Sequence, residues 1–93
     1  MHNNTVKITF DPVKDAANIA KHGLSLALTA DLEWDTALVW PDIRKDYGEI
    51  RMRGIGYIHR RLCFIAFVDR NDGRRIISLR KANAREEKGY AKT

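Results

Sequence analysis

An α+β fold is predicted by three observations. The first half carries a helical apolar repeat framed by capping residues, whereas the second half reads as three consecutive strands. A strong hairpin signal, Asn71-Asp72-Gly73, joins the last two of those strands. Ninety-three residues suffice for one small domain with one core, so residues 1–93 are read as a single unit.

Residues 5–10, TVKITF, alternate as a first strand with Val6, Ile8 and Phe10 on one side. Asp11 then supplies an N-cap and Pro12 the first helical position. Val13, Ala17, Ala20 and Leu24 follow at helical spacing and define an apolar face, and Gly23 ends the helix in the C′ position. Ser25 caps a second helix expected to run to about Trp34. Its Leu26, Ala30 and Trp34 side would pack on the domain, leaving Leu28 and Leu32 outward as an apolar pair suited to a partner. ALVW is a short apolar piece ended by Pro41, and PDIRKDYG a polar loop.

Residues 49–58 alternate, with Ile50, Met52 and Ile58 on one face and Glu49, Arg51, Arg53 and Tyr57 on the other. YIHRR is a hairpin turn, and residues 61–69 are nearly all apolar, as befits a central strand covered on both sides. Residues 74–81 complete an antiparallel meander. Asn83 with Glu86 forms a capping box for a short C-terminal helix.

Composition narrows the function. With 44% hydrophobic and 31% charged residues the chain reads as globular. No apolar run approaches the roughly 20 residues of a membrane helix, and MHNNTVKITF lacks the layout of a signal peptide. The single cysteine, Cys63, lies in LCFIAFV and suggests a buried thiol in a reducing compartment, hence a cytoplasmic protein. Net charge is +5 but uneven: residues 1–43 sum to −3 and residues 44–93 to +8. A basic half fits either nucleic acid or an acidic protein, or a solvated surface.

Two constellations stand out. Lys14, Asn18 and Lys21 form a polar row on the first helix with His22 beside it: either a wet face suited to the helix dipole, or a phosphate-facing row with a proton shuttle. Arg51 and Arg53 share one strand face, and Arg80 with Ser78 shares another. Should these strands flank the central one, the three arginines converge on a groove able to chelate phosphate. His2, His22, His59 and Cys63 are too scattered for a familiar metal spacing, so no metal or cofactor is expected.

FDPVKDAANIAKHGLS, DYGEIRMRGIG and RIISLRKANAREEKGY together resemble the BrnT family of bacterial type II toxins across about residues 10 to 90. The matching pieces include Lys21-His22-Gly23, Gly48-Glu49 with Arg51, and Arg75-Ile76-Ile77-Ser78 with Arg80-Lys81-Ala82. The resemblance implies a RelE-like, microbial-ribonuclease-like fold and a metal-independent endoribonuclease that inhibits translation. It also implies a cognate BrnA-type antitoxin, expected in a 2:2 complex that meets operator DNA only through the antitoxin. His22, Glu49, Arg51 and Arg80 would then be catalytic: the two arginines on the phosphate, His22 or Glu49 in proton transfer. Lys14, Lys21, Arg53, Lys81 and Tyr90 would bind RNA, and Leu28 and Leu32 the antitoxin. A basic module that binds nucleic acid or an acidic protein without catalysis is the alternative.

Overall fold

The computed structural model describes residues 6–93; Thr5, at the head of the expected first strand, and His2 lie outside them. The chain runs β1 (Ile8–Thr9), α1 (Pro12–His22), a 3₁₀ helix (Leu26–Asp31), β2 (Leu38–Pro41), β3 (Met52–Ile58), β4 (Arg61–Arg70), β5 (Gly73–Lys81) and α2 (Ala84–Ala91). One five-stranded sheet has the order β1-β5-β4-β3-β2. β1 pairs with β5 in parallel and the other neighbours are antiparallel. The α+β class holds, but the expected meander is the centre of a larger, mixed sheet. ALVW contributes the unforeseen strand, β2, on the open side of β3.

Local chemistry sets most boundaries as read. The Asp11 carboxylate accepts the Val13 N–H at 2.9 Å, and Gly23 closes α1 with φ 73°. His59 and Arg60 both have positive φ, 48° and 71°, which a two-residue turn between Ile58 and Arg61 demands. The His59 ring meets the Asp31 carboxylate at 2.9 Å and ties that turn to the 3₁₀ helix. Asn83 and Glu86 form the capping box of α2.

The second helix departs from expectation. Leu32 is 5% exposed in the core, and Leu28 is partly buried against it, so no outward leucine pair exists. The reason is the period. A 3₁₀ helix stacks residues three apart, which aligns Leu26, Thr29 and Leu32, all buried, instead of the Leu26, Ala30 and Trp34 side of an α-helix. The Asp15 carboxylate fixes its entry by accepting the Ser25 hydroxyl and the Leu26 N–H at 3.0 and 2.7 Å. Ile58, Cys63, Ile65, Phe67, Ile76 and Leu79 complete this core on one face of the sheet.

α1 is also turned from its expected pose. Val13 is 76% exposed, Ala17 and Ala20 are exposed, and the buried residue is Asn18. β1 pairs with β5 only at Arg74 and Arg75, so further along that edge the Leu79 backbone would be left without partners. The Asn18 carboxamide supplies them, donating to the Leu79 carbonyl at 2.8 Å and accepting its N–H at 3.1 Å. A second donation to the Leu24 carbonyl, 2.8 Å, leaves the buried amide well satisfied. The polar row of α1 therefore faces β5.

Candidate active site

Register decides which arginines meet. Arg53, Ala66 and Ser78 form one cross-strand row, and Ile55, Phe64 and Arg80 the next. Val68 stands opposite Arg75, and Arg51 precedes Arg53 by two residues. Strand alternation puts these side chains on one face, opposite the core that contains Leu26 and Leu79. Arg51, Arg53 and Arg80 do converge, since β3 and β5 flank β4, and Arg75 joins them.

Aromatic rings support the guanidinium groups. Arg80 lies 4.3 Å and Arg53 5.0 Å from the centroid of the same Phe64 ring, and Arg53 is 6.0 Å from Trp40. Arg51 lies 3.9 Å from the Tyr47 ring. Such stacking holds a weakly hydrated cation over apolar surface without neutralising it. Tyr47 is itself fixed by the buried Asp42, which accepts its hydroxyl at 3.1 Å and a two-pronged contact from Arg44 at 2.9 Å on each prong. Those Arg44 hydrogen bonds hold the Asp42 carboxyl far below the usual carboxylate range.

Anionic partners are scarce on this face. Among the described residues Arg51, Arg53 and Arg75 form no ion pair. The Nε atoms of Arg51 and Arg53 are buried without a hydrogen-bond acceptor. Several guanidinium charges gathered on one face with so few internal anions favour an anion brought from outside. Arg80 differs: Glu86 of α2 accepts from both its terminal nitrogens at 2.8 Å. The Arg80 hydrogen bonds hold the Glu86 carboxyl below its ordinary range, helped by the Asn83 N–H and the charge of Arg53.

His22, half-buried, lines a cavity of about 200 Å³ with Lys14, Lys21, Asn18 and, from β5, Ile77 and Ser78. Because Ser78 lies in the Arg53 row, the basic row of α1 borders the arginine face. The His22 ring makes no side-chain hydrogen bond among the described residues. Glu49 is exposed and accepts from Arg70 at 3.1 Å, near the β4–β5 turn. Lys81 pairs with Cys63 in register and falls on the opposite face from Arg80. Burial pushes the Cys63 thiol up. Tyr90 meets Tyr57 edge-on at 5.5 Å and donates to the Thr36 carbonyl at 3.1 Å, so its ring is used in docking α2. Leu28 lines a cavity of about 240 Å³ on the core face with Leu24, Ile58, Cys63 and Leu79, and His59 and Arg61 border it.

Sequence reasoning overlooked Arg75, Phe64, Tyr47 and Glu86 as parts of this face. Glu86 carried a signal, the capping box, which accounted for only one of its two tasks. Among the described residues no three His, Cys, Asp or Glu side chains gather as a metal site. No helix among them is long and apolar enough to cross a membrane.

The sequence model of one family, described as "Ribonuclease toxin, BrnT, of type II toxin-antitoxin system", matches residues 10–86. That span covers the whole arginine face, His22 and Glu86. No curated protein matches the chain.

Proposed function

The chain belongs to the BrnT family of ribonuclease toxins of type II toxin-antitoxin systems, and on that premise we propose that the arginine face is where it binds and cuts RNA. The observation that carries this reading is the gathering of Arg51, Arg53 and Arg75 on one sheet face with no ion pair among the described residues. A phosphodiester is the anion such a face fits. Guanidinium groups chelate its oxygens through two donors and stay charged at every working pH.

The reaction is transesterification within the RNA. The 2′ oxygen attacks the adjacent phosphorus, the bond to the 5′ oxygen breaks, and the products end in a 2′,3′-cyclic phosphate and a 5′-hydroxyl. Arg51, Arg53 and Arg80 neutralise the charge that builds on the phosphorane, and their positions are set before the reaction. His22 moves a proton at the reacting oxygens, a task that suits a half-buried imidazole whose ring makes no side-chain hydrogen bond among the described residues. Glu49, engaged by Arg70, is the second candidate for proton transfer. Lys14 and Lys21 hold flanking phosphates along α1. This chemistry asks for no metal, and a RelE-like fold is what the family resemblance implies for it. RNA cleavage of this kind halts translation.

A BrnA-type antitoxin restrains the enzyme by laying carboxylates on the arginine face, and an antitoxin that dimerises on operator DNA gives a 2:2 assembly. Leu32, buried in the domain's own core, is not one of its anchors.

The test is incubation of the purified protein with RNA in EDTA. Cleavage should persist, and the fragments should carry 2′,3′-cyclic or 3′-phosphate ends. A strict magnesium requirement or 5′-phosphate ends would overturn the mechanism. RNA binding without cleavage would select the non-catalytic basic module instead.

A further inference from the structure

Resting on that ribonuclease reading, the geometry around Arg80 assigns Glu86 as the positioning residue that sets this guanidinium for the phosphate. Glu86 takes one edge of the fork, accepting from Nη1 and Nη2 at 2.8 Å each. Nη1 also donates to the Lys81 carbonyl at 3.2 Å, and Phe64 lies beneath the group at 4.3 Å. The remaining edge, Nε–H with the second Nη2 hydrogen, makes no hydrogen bond among the described residues. That edge is itself a two-pronged donor, so the clamped arginine can still chelate two phosphate oxygens. An unheld arginine would have to be ordered during the reaction, whereas this one is oriented beforehand.

Glu86 is held in turn by α2. Its Oε1 accepts the Asn83 N–H at 2.9 Å, while the Asn83 side chain accepts the Glu86 N–H at 2.8 Å. Tyr90 anchors the far end of the helix on Tyr57. An eight-residue helix has little stability of its own, so its docking onto the sheet makes it a splint for one carboxylate.

Positioning predicts a split between binding and turnover that a merely structural role does not. A carboxylate on a cationic face weakens the pull on RNA while it aligns Arg80. Glu86→Gln keeps the shape but removes the charge, so KM for RNA should fall. At the same time kcat should drop by roughly 10- to 100-fold, the scale of a small misplacement of a reacting contact. Asn83→Ala removes the side-chain half of the capping box and leaves the carboxylate on Arg80, so its kcat should stay within about three-fold of wild type while its melting temperature falls. The double variant Arg80→Ala/Glu86→Gln should be no slower than Arg80→Ala alone, since Glu86 acts through Arg80.

A Glu86→Gln enzyme with unchanged kcat would overturn the assignment while leaving the ribonuclease reading intact. So would an Asn83→Ala enzyme that loses as much kcat as Glu86→Gln, because the helix would then matter only as structure. A wild-type protein that cleaves no RNA would overturn the ribonuclease reading, and this assignment with it.

Discussion

On the core face of the sheet Arg74 lies 4.7 and 4.3 Å from the Trp34 and Phe67 rings and donates to Asp69 at 2.6 and 3.0 Å. On the other face Arg53 lies over Phe64 and Trp40 at similar range, yet its Nε is buried with no acceptor. Both are arginines on strands, stacked on aromatic rings. Stacking therefore does not separate a structural arginine from one that awaits a ligand. The carboxylate does: Asp69 completes Arg74, and among the described residues no equivalent group completes Arg51, Arg53 or Arg75. Arg80 falls between the two kinds, with one edge of its fork completed by Glu86 and the other open.

The sharpest break of this comparison is Arg53→Ala set against Arg74→Ala. Removing Arg53 should lower kcat by about 10²–10³, or about 2.7–4 kcal/mol of transition-state stabilisation, the scale for one oriented donor. Its melting temperature should fall less than that of Arg74→Ala, because the loss of its ring contacts is partly offset by removal of an unmatched buried donor. Arg74→Ala should do the reverse, lowering the melting temperature through lost contact with two rings while cleavage per folded molecule is kept. Kinetics and thermal denaturation on both variants decide it. Equal losses of activity from the two would show that the faces do not differ as described.

Much of this contrast was legible in the sequence, and the parts that were not share a cause. Arg51 and Arg53 could be placed on one side of β3, and Arg80 beside Ser78 on β5, because a strand has a period of two and the Asn71–Gly73 turn makes the strands neighbours. Asp11-Pro12, Gly23 and Asn83 marked helix ends because capping chemistry is local. The failures lie where a tertiary partner outweighs a local pattern. Val13, Ala17 and Ala20 made a convincing helical stripe, but small side chains gain little from burial, and the β5 edge required the amide of Asn18 instead. The sequence of Leu26–Asp31 fits a period of 3.6, although Asp15 and Ser25 set a 3₁₀ entry with a period of three. Glu86 shows in the sequence only as a cap because Arg80, its second partner, belongs to a neighbouring element.

Asn18 offers the next test, of moderate size, since it fixes α1 and hence His22 beside the arginine face. Asn18→Ala strands the Leu79 N–H and carbonyl away from water at a residue that is itself 0% exposed. Unfolding in urea should show a loss of about 1–3 kcal/mol, the usual cost of an orphaned buried polar group. Asn18→Leu, which adds apolar bulk but no hydrogen bonds, should be no better than alanine. If leucine restored the stability, the helix would be held by apolar burial, and the edge-pairing account would be wrong.

The smallest effect belongs to pH and sharpens the contrast between Arg80 and its unpaired neighbours. Glu86 is held below the ordinary carboxylate range in the folded chain, first by the Arg80 hydrogen bonds. A depressed folded value means that the folded state favours the ionised form, so the pair adds stability above the ordinary range. That contribution fades as pH falls through the depressed value. Arg80 is 32% exposed at its side chain, so solvent screens the pair and keeps the gain modest. Stability curves of wild type and Glu86→Gln should therefore be separated at neutral pH, with wild type higher, and should converge on the acid side. Arg53→Ala, which breaks no ion pair and removes only the smallest of the influences on Glu86, should stay much closer to wild type over the same interval than Glu86→Gln does. Curves for Glu86→Gln and wild type that stay parallel down through the acid range would mean that the carboxylate gains nothing from Arg80. The difference between the clamped arginine and the open ones would then be one of position alone.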